Sequence, residues 1–176
     1  MARIIAYPEV VPTVDDYLVG TQKSTSGNQT NPTKNFTVKS VVNAVLDYTT
    51  VTVDVTSSEL LNLQSSAKEL VAAQGANTYI KVLEISLFLD YNSSAYTQGG
   101  DIEIAAGGDF QAKIPNSSGL LTATADTVMS LQIVPSVSSK IGSTTALLMS
   151  TGNAIASGNS PLKVKIKYQV LNTTSF

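Results

Sequence analysis

The chain has 176 residues and a net charge of −2, and only 14% of its residues are charged, against about 25% in an average soluble domain. It contains no cysteine, histidine or tryptophan, which excludes disulfides, thiolate metal sites, cysteine nucleophiles and every Ser-His-Asp or His-metal arrangement. So thin a charge argues against nucleic-acid binding, which needs clustered Lys and Arg, and suits a chain that hides surface in subunit contacts.

The length fits one domain with a short appendage, able to bury a core without staples. No run approaches the roughly 18 apolar residues of a membrane span, so no membrane insertion is expected. Arg3 is followed by a short apolar run and then by Glu9, Asp15 and Asp16, which reads as a cytoplasmically made chain without a signal peptide.

Residues 1–48 read differently from the rest. Pro8 and Pro12 bracket an extended stretch. Asp16–Gly20 reads as a brief strand closed by glycine, and Gln22–Pro32 as a polar loop. Asn35–Val38 reads as a second short strand. Lys39–Leu46 places Val41, Val42, Val45 and Leu46 at helical spacing, with Ser40 as N-cap.

From Thr49 onward the pattern is β. Val51–Thr56 alternates, and Leu60–Leu63 is a short apolar piece before a polar break. Glu69–Ala73 is a strand ended by Gln74-Gly75. Tyr79–Tyr91 is the longest apolar signal, but Ile80, Val82, Ile85, Leu87 and Leu89 do not share one parity. A bulge near Leu83-Glu84 or burial on both faces is required. Asn92–Gly100 is a polar turn. Asp101–Ala105 and Asp109–Ile114 alternate on either side of Gly107-Gly108, and Pro115–Gly119 is a loop. Val128–Val134 and Ala146–Ser150 are strands, with long polar spans at Leu120–Thr127 and Ser136–Thr145. Leu162, Val164, Ile166, Tyr168 and Val170 face one way along the last strand, and Lys163, Lys165, Lys167 and Gln169 face the other. About eight short strands predict a mainly β fold: an antiparallel β-sandwich or jelly-roll-like domain over 49–176, preceded by a hairpin and short helix in 1–48.

Candidate chemistry is sparse. Asp15-Asp16 are strand neighbours pointing to opposite faces and make no dyad. Asp101 and Glu103 share a face and invite a calcium or glycosidase reading, but no oxygen-rich loop or cleft signal accompanies them, and a wet strand face explains them. Gly99-Gly100 and Gly107-Gly108 lack the Lys and Ser/Thr of a phosphate loop. No catalytic residue, metal ligand or cofactor site is expected. Lys163, Lys165 and Lys167 form a basic ridge, read as charge guarding an edge strand, with an anionic partner as the alternative. Tyr91 and Tyr96 flank the 92–100 loop and are the candidates for stacking on a sugar, against ordinary packing at the core edge. Sequons such as Asn92-Ser93-Ser94 arise by chance in so Asn- and Ser-rich a chain.

Asp16, Leu18, Gly20 and Thr21, then Thr33, Lys34, Phe36, Thr37 and Val38, form a D-x-L-x-G-T run followed by T-K-x-F-T-V. This resembles a short module of phage fibre and other virion proteins. Leu70–Ala76, Tyr79–Leu83, Leu87–Tyr91 and Ala95-Tyr96 look like a β-sandwich domain of phage structural proteins, with Gln74-Gly75-Ala76-Asn77 where that family has Pro-Gly-Ala-Gly. The resemblance implies a non-enzymatic head decoration, head fibre or tail fibre protein, a homotrimer in the virion. It would bind other virion proteins such as the major capsid or tail protein, with Asp16, Leu18, Gly20, Thr33, Lys34, Phe36 and Val38 in the attachment module. The alternative is a module that binds a host-surface glycan or a protein through loops such as 92–100 or 115–127. A carboxylate glycan hydrolase built on Asp101 and Glu103 ranks last.

Overall fold

A computed structural model describes residues 12–21, 33–46, 48–107, 109–131, 133 and 145–172. The expectations for Pro8–Val11, for 22–32, for Gly108 and for 136–144 lie outside the described residues. Contacts divide the chain into Met1–Asp47 and Tyr48–Phe176.

In the first unit β1 (Tyr17–Thr21) pairs antiparallel with β2 (Thr33–Thr37), and helix α1 (Val38–Leu46) follows directly. The helix starts one residue earlier than its apolar spacing suggests. Its first turn is capped by Thr37, whose Oγ1 accepts the Ser40 N–H at 3.1 Å. Ser40, expected at the cap, instead donates its hydroxyl to the Thr37 carbonyl at 2.8 Å.

The second unit is a β-sandwich. Its elements in chain order are β3 (Thr49–Val55), α2 (Ser57–Leu61), β4 (Lys68–Val71), β5 (Thr78–Leu89), β6 (Thr97–Gln98), β7 (Ile102–Ala106) and β8 (Asp109–Ile114). After a short 3-10 turn at Asn116–Ser118 come β9 (Thr127–Leu131), β10 (Leu147–Thr151), β11 (Ile155–Ala156) and β12 (Leu162–Asn172). One four-stranded sheet has the order β3-β12-β5-β9 and the other β4-β10-β7-β8. The pairings are nested: β3 with β12, β4 with β10, β5 with β9, β7 with β8, all antiparallel. That is a long hairpin rolled over on itself, the strand order found in jelly rolls.

Alternation explains the core. Leu162, Val164 and Ile166 on β12 and Ile85, Leu87 and Leu89 on β5 point inward. From the other sheet Ile102, Ile104, Leu147 and Met149 meet them. The broken parity of β5 is a bulge: Lys167 pairs with Glu84 and Tyr168 with Val82, leaving Leu83 over. A second bulge was not legible. Ile104 pairs with Ala112 and Ala105 with Phe110, so Gln111 is extra and is buried beside Ala112 rather than alternating.

Leu60-Leu61 belongs to a helix, not a strand. Thr56 and Glu59 form a capping box in which each side chain accepts the other's backbone N–H. Leu120 and Leu121, read as part of a polar span, are fully buried.

The lysine ridge needs the largest correction. β12 is hydrogen-bonded to β3 on one side and β5 on the other, so it is a central strand and its lysines guard no edge. Val170, expected on the core face, is exposed beyond the bulge.

Candidate functional site

In the first unit Leu18, Gly20, Lys34 and Phe36 share a face, and Thr33 lies on the other. Leu18 lies opposite Phe36 and Gly20 opposite Lys34, while Tyr17, Val19 and Asn35 occupy the other face. The Phe36 ring lies over Gly20, where a Cβ would fall 3.2 Å from Cε2, so glycine makes room for the ring. Thr33 pairs with Thr21 at the end of the ladder nearer the 22–32 connection, and Val38 begins the helix. Asp16 organises the entry: its carboxylate accepts the Thr13 N–H at 2.6 Å and its carbonyl accepts the Val38 N–H at 2.9 Å.

Among the described residues, every buried apolar side chain lies at Val55 or later. Val14, Leu18 and Val42 stand open, as do Tyr17 at 69%, Val19 at 73% and Val45 at 76% exposure. An isolated two-stranded hairpin is marginal in water, because it has too little apolar burial to offset the cost of ordering its backbone.

Tyr91 and Tyr96 sit in different surroundings. Tyr96 is 2% exposed and its hydroxyl donates to the Ser160 carbonyl at 2.5 Å. Burial pushes its pKa up to about 12. Gly158, at φ +81°, passes directly against the ring, where any Cβ would overlap Tyr96. The Asn159 carboxamide oxygen accepts the Ser93 and Ser94 N–H groups at 3.3 and 3.1 Å, and Ser160 Oγ accepts that of Asn92 at 3.0 Å. The 91–96 loop is thus stapled to 158–160, and a ring placed as Tyr96 is cannot stack on a ligand from solvent. Tyr91 is half-buried, its N–H held by Asp126 at 2.9 Å.

Asp101 accepts from Lys113 Nζ and from the Asn116 N–H, both at 2.8 Å. The lysine, then the backbone N–H, hold its carboxyl below the ordinary value. Glu103 pairs in register with Lys113 on the same outer face. The arrangement clamps the start of the 115–119 loop to β7.

A second surface lies on the outer face of the β3-β12-β5-β9 sheet. Lys163, Lys165 and Lys167 run along its middle, flanked in register by Asp54, Thr52 and Thr50 on β3 and by Phe88, Ser86 and Glu84 on β5. Lys167 Nζ stands 4.0 Å from the centroid of the Tyr48 ring, and Lys163 Nζ 5.9 Å from that of Phe88. Each such contact contributes about 0.5–1 kcal/mol at an exposed site. Tyr48, Thr50, Glu84, Ser86, Lys165 and Lys167 enclose a depression of about 240 Å³. The lysine alternation was visible in sequence. The partners Tyr48, Glu84 and Ser86 were not, because strand pairing brings them in from far along the chain.

No protein-family model, curated protein or solved structure matches this chain.

Proposed function

We propose that this chain is a non-catalytic structural component of a bacteriophage particle. It is made in the host cytoplasm and carried in the virion. It attaches through its N-terminal unit to a major capsid or tail protein and displays an oligomeric β-sandwich, with closed three-fold symmetry as the expected arrangement. The observation that carries the attachment half is the open apolar surface of the first unit: Tyr17, Val19 and Val45 exposed, with no buried apolar side chain among its described residues. Such a unit gains stability by covering those groups against something else. The rolled-up strand order supports the display half, since viral capsid and lectin domains use it. The thin charge of the chain suits a surface spent on contacts between subunits.

The test is reconstitution on particles of the virus that encodes the chain, grown without it. Full-length protein is expected to sediment with those particles and residues 48–176 to stay in solution. Cosedimentation of both, or of neither, overturns the attachment reading. A host-glycan-binding reading is favoured by a separate observation, the lysine ridge of the sandwich.

A further inference from the structure

We infer that the outer face of the β3-β12-β5-β9 sheet is a binding site for a linear acidic saccharide, one carrying carboxylate or sulfate groups. Lys163, Lys165 and Lys167 occupy alternate positions of a central strand. Their stems are therefore about 6.8 Å apart and the set spans about 14 Å, which suits a chain of anionic groups and not a single ion. Lys165 at the centre faces only hydroxyls along its row, Thr52 on one side and Ser86 on the other. The ion pairs of the described residues lie elsewhere, at Lys68–Glu59 and Lys113–Asp101. The Glu84 carboxylate opposite Lys167 makes no ion pair with it and instead takes a long hydrogen bond, at 3.4 Å, from the Ser86 hydroxyl.

The lining matches a sugar acid. Tyr48, half-buried at one end of the depression, offers a ring beside Lys167. Thr50, Ser86 and Glu84 offer donors and acceptors for hydroxyls, and the ammonium groups take the anionic substituents. A protein partner fits less well, because interface cores are depleted in Lys and Ser and this face is built from them. A nucleic acid fits less well too: single-strand binders stack successive bases on several aromatic rings, and the depression offers one, Tyr48.

The test is NMR titration of the full-length chain with four hexamers: a sulfated heparin hexasaccharide, a hexagalacturonate, neutral maltohexaose and hexathymidylate. One or both acidic saccharides are expected to shift the β12 and β5 amides, and maltohexaose and hexathymidylate to leave them unmoved. Raising the salt from 50 to 300 mM is expected to weaken binding roughly tenfold. Lys165→Gln is expected to weaken it about tenfold, as loss of one charge-assisted hydrogen bond does. Tyr48→Ala should also weaken it. Lys113→Gln, on the opposite sheet, should leave it within about twofold, since exposed sites this far apart act independently. Unchanged unfolding midpoints confirm that the variants are folded. Binding of neither acidic hexamer overturns the inference, as does equal binding of maltohexaose or hexathymidylate, or binding that survives Lys165→Gln. All of these residues lie in 48–176, so loss of saccharide binding and loss of particle attachment are read separately.

Discussion

The two units of this chain use similar residues to different ends. In Tyr48–Phe176 alternating Val, Ile and Leu from two sheets meet face to face, and Ile85, Ile104, Leu147 and Ile166 are removed entirely from water. In Met1–Asp47 the same alternation and a helix with Val41, Val42 and Val45 produce a hairpin and two turns of helix, yet Val19 and Val45 remain at the surface. Apolar periodicity specifies a face. Stability requires a second face to cover it. The sandwich supplies its own, by rolling β3–β12 over on themselves. The described residues of the first unit do not.

Substitution can sharpen that contrast. The largest effect is expected in the sandwich core. Ile104→Ala should destabilise by about 3–4 kcal/mol, through lost burial and an unfilled cavity, whereas Leu18→Ala in the hairpin should change global stability by less than about 0.5 kcal/mol. Urea midpoints at constant slope measure both. Equal losses would break the comparison.

Next in size is the stapled corner. Gly158→Ala forces a Cβ against the Tyr96 ring at a positive φ, and should cost about 2–3 kcal/mol. Tyr96→Phe leaves the Ser160 carbonyl without its partner and should cost about 1 kcal/mol at neutral pH. The Tyr96 pKa is raised from 10.0 to about 12, so the protonated form is favoured by folding. Its contribution is complete below pH 10 and is lost as pH rises towards 12. Denaturation midpoints measured from pH 9 to pH 12 should therefore fall in the native chain, and that part of the fall should be missing in Tyr96→Phe.

Thr56→Ala removes the capping box of α2 and should cost about 1 kcal/mol. The smallest effects concern the exposed ion pairs. Hydrogen bonds from Lys68 and Lys113 lower the pKa of Glu59 and Asp101 from 4.5 and 3.8 respectively. What they contribute is present above those values and lost as pH falls through the lowered ones. Asp101→Asn should flatten the acid limb of the stability curve slightly and leave the neutral region almost unchanged, because exposed pairs contribute little.

Much of the sandwich was legible because strand alternation is a local signal. β12 could be read residue by residue from Leu162 to Tyr168, though not at Val170, and the parity break in β5 pointed to the bulge at Leu83. The capping-box spacing Thr56-x-x-Glu59 stands before a Leu60-Leu61-x-Leu63 run whose length fits helix or strand, so apolar pattern alone does not mark α2. β6 and β11, two residues each, are too short to show a period. Leu120-Leu121 is buried although its neighbours are polar, since a pair of residues carries no period either. Strand order was out of reach. Alternation tells that Lys165 faces water, but only the pairing of β12 with both β3 and β5, chain segments remote in sequence, tells that it stands in mid-sheet. For the same reason Tyr48 and Glu84 could not be joined to the ridge, and the buried Tyr96 could not be told from a ring open to solvent.

The central claim is that 48–176 is stable by itself and that the first unit depends on a partner. Amide hydrogen exchange on the isolated full-length chain tests it most directly. The account predicts that amides of β5 and β12 exchange only through global unfolding, while those of β1, β2 and α1 exchange orders of magnitude faster. Equal protection of the two sets in the isolated chain would contradict it.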